Sequence, residues 1–168
     1  SFNLSILAFF TICYSYQIFY AIYALFRKPE KLTAKELHSY AIVISARNES
    51  AVIAQLIESI KKQNYPRHLI DVYVVADNCT DNTAEVARKM GAIVYERSNN
   101  KQRGKGYALD YIFKIIQNSQ NRDKYDGYFV FDADNLLDPN YIAEMNKVFD
   151  NGYRVVTSYR NSKNYDTN

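Results

Sequence analysis

A chain of 168 residues, 48% of them hydrophobic, is long enough for one domain with a buried core. Its 21 basic and 18 acidic residues leave a net charge of +3, too evenly balanced for a nucleic-acid partner, which needs a concentrated basic face. The two cysteines, Cys13 and Cys79, lie far apart and fit neither a disulfide framework nor metal-ligand spacing.

The chain opens with Ser1 to Phe26, a stretch without a charged residue. Leu4 to Phe26 as a helix would span ~35 Å at about 1.5 Å per residue, enough to cross a bilayer with some tilt. Gln17 and several tyrosines dilute its apolar character, and a core helix of a soluble protein is the competing possibility. A signal peptide fits less well, because the run is long and no small-residue cleavage site follows. Arg27, Lys28, Lys31 and Lys35 come next, and the positive-inside rule places the remainder in the cytoplasm at the plasma membrane. The expected organisation is a transmembrane helix over 1–28, a polar linker over 29–39 and a further domain over 40–168. The missing initiator Met and the polar run Asn161 to Asn168 suggest a piece of a longer protein.

Beyond the linker the pattern alternates. Tyr40 to Ile44 is a β-branched apolar run, suited to a strand buried on both faces. Val52, Ile53, Leu56, Ile57 and Ile60 recur at helical spacing, and Asn64-Tyr65-Pro66 ends that element. A second strand spans Ile70 to Ala76, and a short helix follows over Thr83 to Met90 with Gly91 at its C-terminal cap. A third strand covers Ala92 to Tyr95, with a polar loop from Glu96 to Arg103. Gly104-Lys105-Gly106 then opens a helix with Tyr107, Ala108, Tyr111, Ile112, Ile115 and Ile116 on one face. Tyr128 to Phe131 is the fourth strand, Asp138-Pro139 reads as N-cap and N1 of a helix reaching about Asp150, and Arg154 to Ser158 as a fifth strand. Strands alternating with helices predict an α/β fold with a mostly parallel sheet flanked by helices.

Ligands of open parallel sheets bind outside the carboxyl ends of the strands, where the strand order reverses. Three polar clusters fall at such ends: Ala46-Arg47-Asn48-Glu49, Asp77-Asn78 and Asp132-Ala133-Asp134. Alternate residues of an extended chain point the same way, so Asp132 and Asp134 face one site if the strand persists that far. Two carboxylates with phosphate oxygens and water suit Mg2+ or Mn2+, although acids also cap turns. Gly104-Lys105-Gly106 is neither a P-loop nor a dinucleotide fingerprint, since the remaining glycines of both are absent. It is either an anion-attracting helix N-terminus or a flexible junction with a solvated lysine. Asp77 and Glu49 can accept hydrogen bonds from a base or ribose, or act as helix N-terminal acids. His38 and His68 read as surface residues, and no Ser/His/Asp or Cys/His arrangement stands out.

In this order, Ile42-Val43-Ile44-Ser45-Ala46-Arg47-Asn48-Glu49, Val74-Val75-Ala76-Asp77-Asn78-Cys79-Thr80-Asp81, Arg103-Gly104-Lys105-Gly106-Tyr107-Ala108-Leu109 and Phe131-Asp132-Ala133-Asp134 resemble the glycosyltransferase family 2 domain. Relatives in that family include membrane-bound synthases of cellulose, hyaluronan and poly-N-acetylglucosamine, and the match covers about Tyr40 to Ser158. The resemblance implies a GT-A, Rossmann-like fold and inverting transfer of a sugar from a nucleotide-sugar donor, usually UDP-linked, to a glycan or lipid-linked acceptor, with Mg2+ or Mn2+. It implies that Ala46, Arg47 and Glu49 border the nucleotide pocket and that Asp77 faces the base. Lys105 would lie near base and phosphates, Asp132 near ribose or metal, and Asp134 would coordinate the metal. The family's acceptor half and general base follow later, so the expected content here is the donor half with no catalytic base; Asp138, Glu144 and Asp150 do not stand in that motif. The alternatives are a non-catalytic membrane-tethered nucleotide-binding fragment and a nucleotidyltransferase, the latter lacking a Gly-rich signature after the first strand.

Overall fold

The computed structural model describes residues 2–26 and 31–159. The Arg27-Lys28 pair behind the orientation rule and the Asn161 to Asn168 run lie outside the described residues. The chain forms two compact units, residues 1–32 and 33–168. The first contains helix α1 (Phe2–Phe26), whose 25 residues are all exposed. By length and composition it can cross a membrane. Its small hydroxyls are satisfied within the helix: Thr11 Oγ1 donates to Leu7 O at 2.8 Å and Ser15 Oγ to Ile12 O at 2.7 Å. That local pairing is what a helix in hydrocarbon requires of its polar groups.

The second unit is an α/β layer structure. Its elements are β1 (Tyr40–Ala46), α2 (Ile53–Lys61), a 3-10 turn (Arg67–Leu69), β2 (Ile70–Asp77), α3 (Thr83–Lys89), β3 (Ile93–Arg97), α4 (Lys105–Asn118), β4 (Gly127–Asp132) and α5 (Tyr141–Asp150). The four strands are all parallel, in the order β3-β2-β1-β4. The chain lays β2 and β3 to one side of β1, then crosses through α4 to place β4 on the other. The strand order therefore reverses between β1 and β4.

The centre of the sheet follows from its sequence. Tyr40 to Ile44 are at most 2% exposed, as a strand covered on both faces demands. Ile42, Ile44 and Ala46 pack with Ile53, Leu56, Ile57 and Ile60 of α2 and Ile142 of α5. Ala41 and Val43 point the other way, onto Ala108, Ile112 and Ile116 of α4. Each such buried Ile or Leu contributes about 1.5–3 kcal/mol. Gly127 serves a close approach, because a Cβ there would lie 2.9 Å from Tyr40 Cε1. The Tyr40 ring cannot easily retreat, being packed against Tyr65, Phe129 and Phe149. Gly127→Ala is expected to cost about 1–3 kcal/mol by overpacking, read as a shift in the urea midpoint; an unshifted midpoint would show that the ring moves aside.

Three expectations are corrected. Arg154 to Ser158 form no strand: Val155 is 90% exposed and the segment makes no ladder, and strand propensity without a paired neighbour does not make a strand. The Asp138-Pro139 pair stands one turn before α5, whose N-cap is Asn140. The Asp138 and Pro139 carbonyls accept instead from Gln63 Nε2 at 2.7 Å and Asn64 N at 2.8 Å, tying the end of α2 to the start of α5. Gln63 Oε1 in turn accepts from Ile142 N at 2.9 Å, capping α5 from a distant element.

His38 is not a plain surface residue. Its Nε2 lies 2.9 Å from Asp150 Oδ1, its Nδ1 3.7 Å from Asp126 Oδ2, and its ring packs edge-on to Phe149. Residues 33–39 form a strap fastened along its length. Asn151 Nδ2 donates to Thr33 O, Lys35 N to Asp150 Oδ2, Asn146 Nδ2 to Glu36 O, and Ser39 N to Asp126 Oδ2. The donor from Lys35 holds the Asp150 carboxyl below the usual aspartate range, and that from Ser39 does the same for Asp126.

Candidate active site

The carboxyl ends of the strands form one edge, and Ala46, Asp77 and Asp132 lie on it, with Arg47, Glu49 and Asp134 in the segments that follow. Ala46 closes β1 and is buried, Asp77 closes β2, and Asp132 closes β4. Lys105 is the first residue of α4. Ala46 is paired with Ala76 across β1 and β2, Ser45 with Asp132 across β1 and β4, and Asp77 with Arg97 across β2 and β3.

Two ion pairs organise this edge. Arg97 Nη1 donates to Asp77 Oδ1 at 2.6 Å, with side chains only 7% and 4% exposed. Lys105 Nζ pairs with Asp132 Oδ1, and both of these are about half exposed. The first pair is a dry, oriented charge couple; the second is solvated and contributes at most about 1 kcal/mol to folding. Gly104 caps α4 with φ 120°, a backbone conformation that only glycine adopts easily. Gly104 O accepts from Tyr107 N and Ala108 N, so the first helical turn starts directly at the Lys105 side chain.

The loops behind the strand ends are fixed by side chains. Asn48 and Asn78 both stand in the left-handed region, with φ 56° and 53°. Asn48 Oδ1 accepts from Thr80 N at 2.8 Å, joining the loop after β1 to the loop after β2. Cys79 Sγ lies 3.5 Å from Ala46 O and 3.5 Å from Asn48 N, reinforcing the same junction, and Cys79 and Cys13 are free thiols. Glu49 enters through its backbone: its N–H donates to Thr83 Oγ1 at 2.9 Å, and its carbonyl accepts from Val52 and Ile53. Thr83 donates to Asp81, and this bond, with those from Ser50, holds the Asp81 carboxyl far below the ordinary aspartate range. Arg47 is exposed beside these loops.

Asp132 and Asp134 are not placed by strand alternation, because β4 ends at Asp132. A turn follows, closed by Asn135 N donating to Asp132 O at 3.1 Å and Asp132 N donating to Asn135 Oδ1 at 3.2 Å. Asn135 Nδ2 also donates to Asp134 Oδ1 at 3.3 Å. Asp132 is thus turned to Lys105, while Asp134 is exposed and lines a groove of about 1110 Å³ along β4 and α5. Tyr128, Phe131, Leu137, Tyr141 and Met145 supply its apolar walls. Asp77, Arg97 and Lys105 do not line it. Among the described residues there is no cluster of three or more His, Cys, Asp or Glu side chains with metal-holding geometry.

With this edge in view, the sequence profile described as glycosyltransferase like family 2 matches residues 38–168. The chain belongs to that family.

Among curated proteins, this family member is 40% identical over 91 residues to a 4,4'-diaponeurosporenoate glycosyltransferase of Staphylococcus aureus, covering 50% of the chain and 24% of that protein. It is 31% identical over 106 residues to a beta-monoglucosyldiacylglycerol synthase of Nostoc, covering 58% of the chain and 23% of that protein. The matched stretch is thus about a quarter of the length of these relatives. Among solved structures, it is similar to a mannosyltransferase from Pyrobaculum calidifontis in complex with GDP-Man and Mn2+, at TM-score 0.59 and 21% identity over 77% of this chain and 38% of that one. Staphylococcus aureus TarS in complex with UDP-GlcNAc follows at TM-score 0.54 and 19% identity, covering 67% and 31%. At these identities the likeness establishes the GT-A-like fold.

One residue of the family 2 edge was missed by sequence reasoning. Arg97 falls in what reads as a polar loop, but β3 runs two residues beyond Tyr95 and ends on it. The signal was there in Asp77: a carboxylate closing an apolar strand needs a buried cation, and the neighbouring parallel strand is where one would stand.

Proposed function

We propose that this chain supplies the donor-binding part of a membrane-anchored, metal-assisted glycosyltransferase that uses a nucleotide-sugar, UDP-linked by preference, and transfers the sugar with inversion. The observation that supports this is that Asp77–Arg97 and Lys105–Asp132 stand at the carboxyl ends of the parallel strands, with Asp134 in the turn directly after β4, in a member of family 2. The Asp77 carboxylate, held by Arg97, accepts an N–H from the base. Ala46, Arg47 and Glu49, on the loop after β1, border the nucleoside. Lys105 and the N-terminus of α4 attract the diphosphate.

The donor set suits a divalent cation of the Mg2+ or Mn2+ kind. Asp132 and Asp134 offer hard oxygen ligands, one or two carboxylates being what such ions take from protein before completing their shell with phosphate and water. When bound there, the ion would supply Lewis-acid stabilisation of the departing diphosphate. The acceptor hydroxyl is deprotonated by a base that no residue of the donor edge provides. Helix α1 would anchor the unit at the plasma membrane, with the unit on the cytoplasmic side. A glycan or lipid acceptor fits such an anchor, and the name of the diacylglycerol-related relative points the same way.

Calorimetry of the detergent-solubilised chain with a UDP-sugar and Mn2+ tests this. Wild type is expected to bind, and Asp134→Ala to bind at least about tenfold more weakly, the scale on which metal sites respond to lost partners. Unchanged affinity in the variant would remove Asp134 from the metal role, and no binding by wild type would remove the donor reading itself.

A further inference from the structure

We propose that Asn78 is the positioning residue of the donor edge, setting Asp77 on one side and the 98–104 loop on the other. The inference rests on the reading of the Asp77–Arg97 pair as the base side. Asn78 follows β2 directly, is half-buried, and holds φ at 53°, a conformation that asparagine tolerates better than most residues. From there it makes three hydrogen bonds in different directions. Its Nδ2 donates to Asp77 Oδ1 at 3.0 Å, the same oxygen that Arg97 holds. Its backbone N–H donates to Arg97 O at 2.7 Å. Its Oδ1 accepts from Asn99 N at 2.9 Å.

The third bond has reach. Asn99 Oδ1 accepts from Lys101 N and Gln102 N, both at 2.9 Å, which folds the loop leading to Gly104 and Lys105. One side chain therefore orients Asp77 and seats the loop that delivers Lys105 to Asp132. With one oxygen of Asp77 committed to Arg97 and Asn78, the other is the one left to a base. The amide side chain does both jobs, since it carries a donor for the carboxylate and, on a separate atom, an acceptor for the peptide.

Two variants separate the two bonds. Asn78→Gly keeps the left-handed backbone and loses the side chain. Asn78→Asp keeps the acceptor for Asn99 N–H but cannot donate to Asp77 and sets a second negative charge beside it. Hydrogen exchange at the Asn99 amide, resolved by fragmentation mass spectrometry on the full chain, gives a ligand-free readout; UDP affinity in Mn2+ gives the second. In Asn78→Gly, Asn99 is expected to exchange at least tenfold faster and UDP to bind about tenfold more weakly, with the thermal midpoint little changed. In Asn78→Asp, Asn99 is expected to stay protected while UDP binding still falls about tenfold. A merely structural role would move both readouts together in both variants, and that result overturns the inference. So does Asn78→Gly binding UDP within twofold of wild type, or leaving Asn99 exchange unchanged. If Asn78→Gly fails to fold, the split between exchange and affinity in Asn78→Asp decides alone. Wild type that fails to bind UDP overturns the donor reading instead, and the exchange arm still reports whether Asn78 seats the loop.

Discussion

Asn146→Ala is expected to destabilise the α/β unit by about 3–5 kcal/mol, a large part of the roughly 5–15 kcal/mol that holds a domain folded. Asn146 sits on α5 and is 1% exposed. Its Oδ1 accepts from the Tyr40 hydroxyl at 2.8 Å and from His38 N at 3.2 Å, and lies 2.9 Å from the Tyr65 hydroxyl; its Nδ2 donates to Glu36 O at 2.9 Å. Alanine removes the shared acceptor and leaves buried donors without a partner, the costly half of the hydrogen-bond balance. Burial has already pushed the Tyr65 hydroxyl up to about 12, so ionisation offers no escape near neutral pH. Urea denaturation of wild type and variant measures the difference. A loss below 1 kcal/mol would mean that water enters and replaces the amide oxygen.

Arg97→Leu is the second large effect, expected at about 3–5 kcal/mol, because it strands the buried Asp77 carboxylate without its cation. The same variant should weaken UDP binding, since the carboxylate then keeps only the Asn78 amide to orient it. The double variant Asp77→Asn, Arg97→Leu is expected to recover much of the stability but none of the binding. Charge removed from both partners relieves desolvation, whereas the charged acceptor and the guanidinium that orients it are gone. A double variant no more stable than Arg97→Leu would show that the pair matters through its shape rather than its charge.

The central strands were legible because burial on both faces writes an unbroken apolar run, and Ile42-Val43-Ile44 has no other economical reading. The polar sheet edge was legible through Asp77, Lys105 and Asp132, each directly beside an apolar or glycine-marked element. Arg97 was not, because a charged residue at a strand end looks like the loop that follows it until the register sets it opposite Asp77. The His38 contacts were hidden for a different reason: its partner Asp150 is 112 residues away, and no local pattern records such a meeting. The expected strand over 154–158 failed in the opposite sense. Its residues have the right propensity, but a strand is a property of two segments, and only one of them is visible in a local window. The shared orientation of Asp132 and Asp134 depended on the strand continuing, and Asn135 closes a turn that stops it.

The strap over 33–39 decides where this protein can be cut. A recombinant fragment started at Tyr40, the first residue of the sheet, would leave Asn146 Nδ2, Asp126 and Asp150 facing water in place of the backbone they now hold. The Tyr65 hydroxyl would lose the His38 carbonyl at the same stroke. A piece that keeps all of these bonds begins at Thr33.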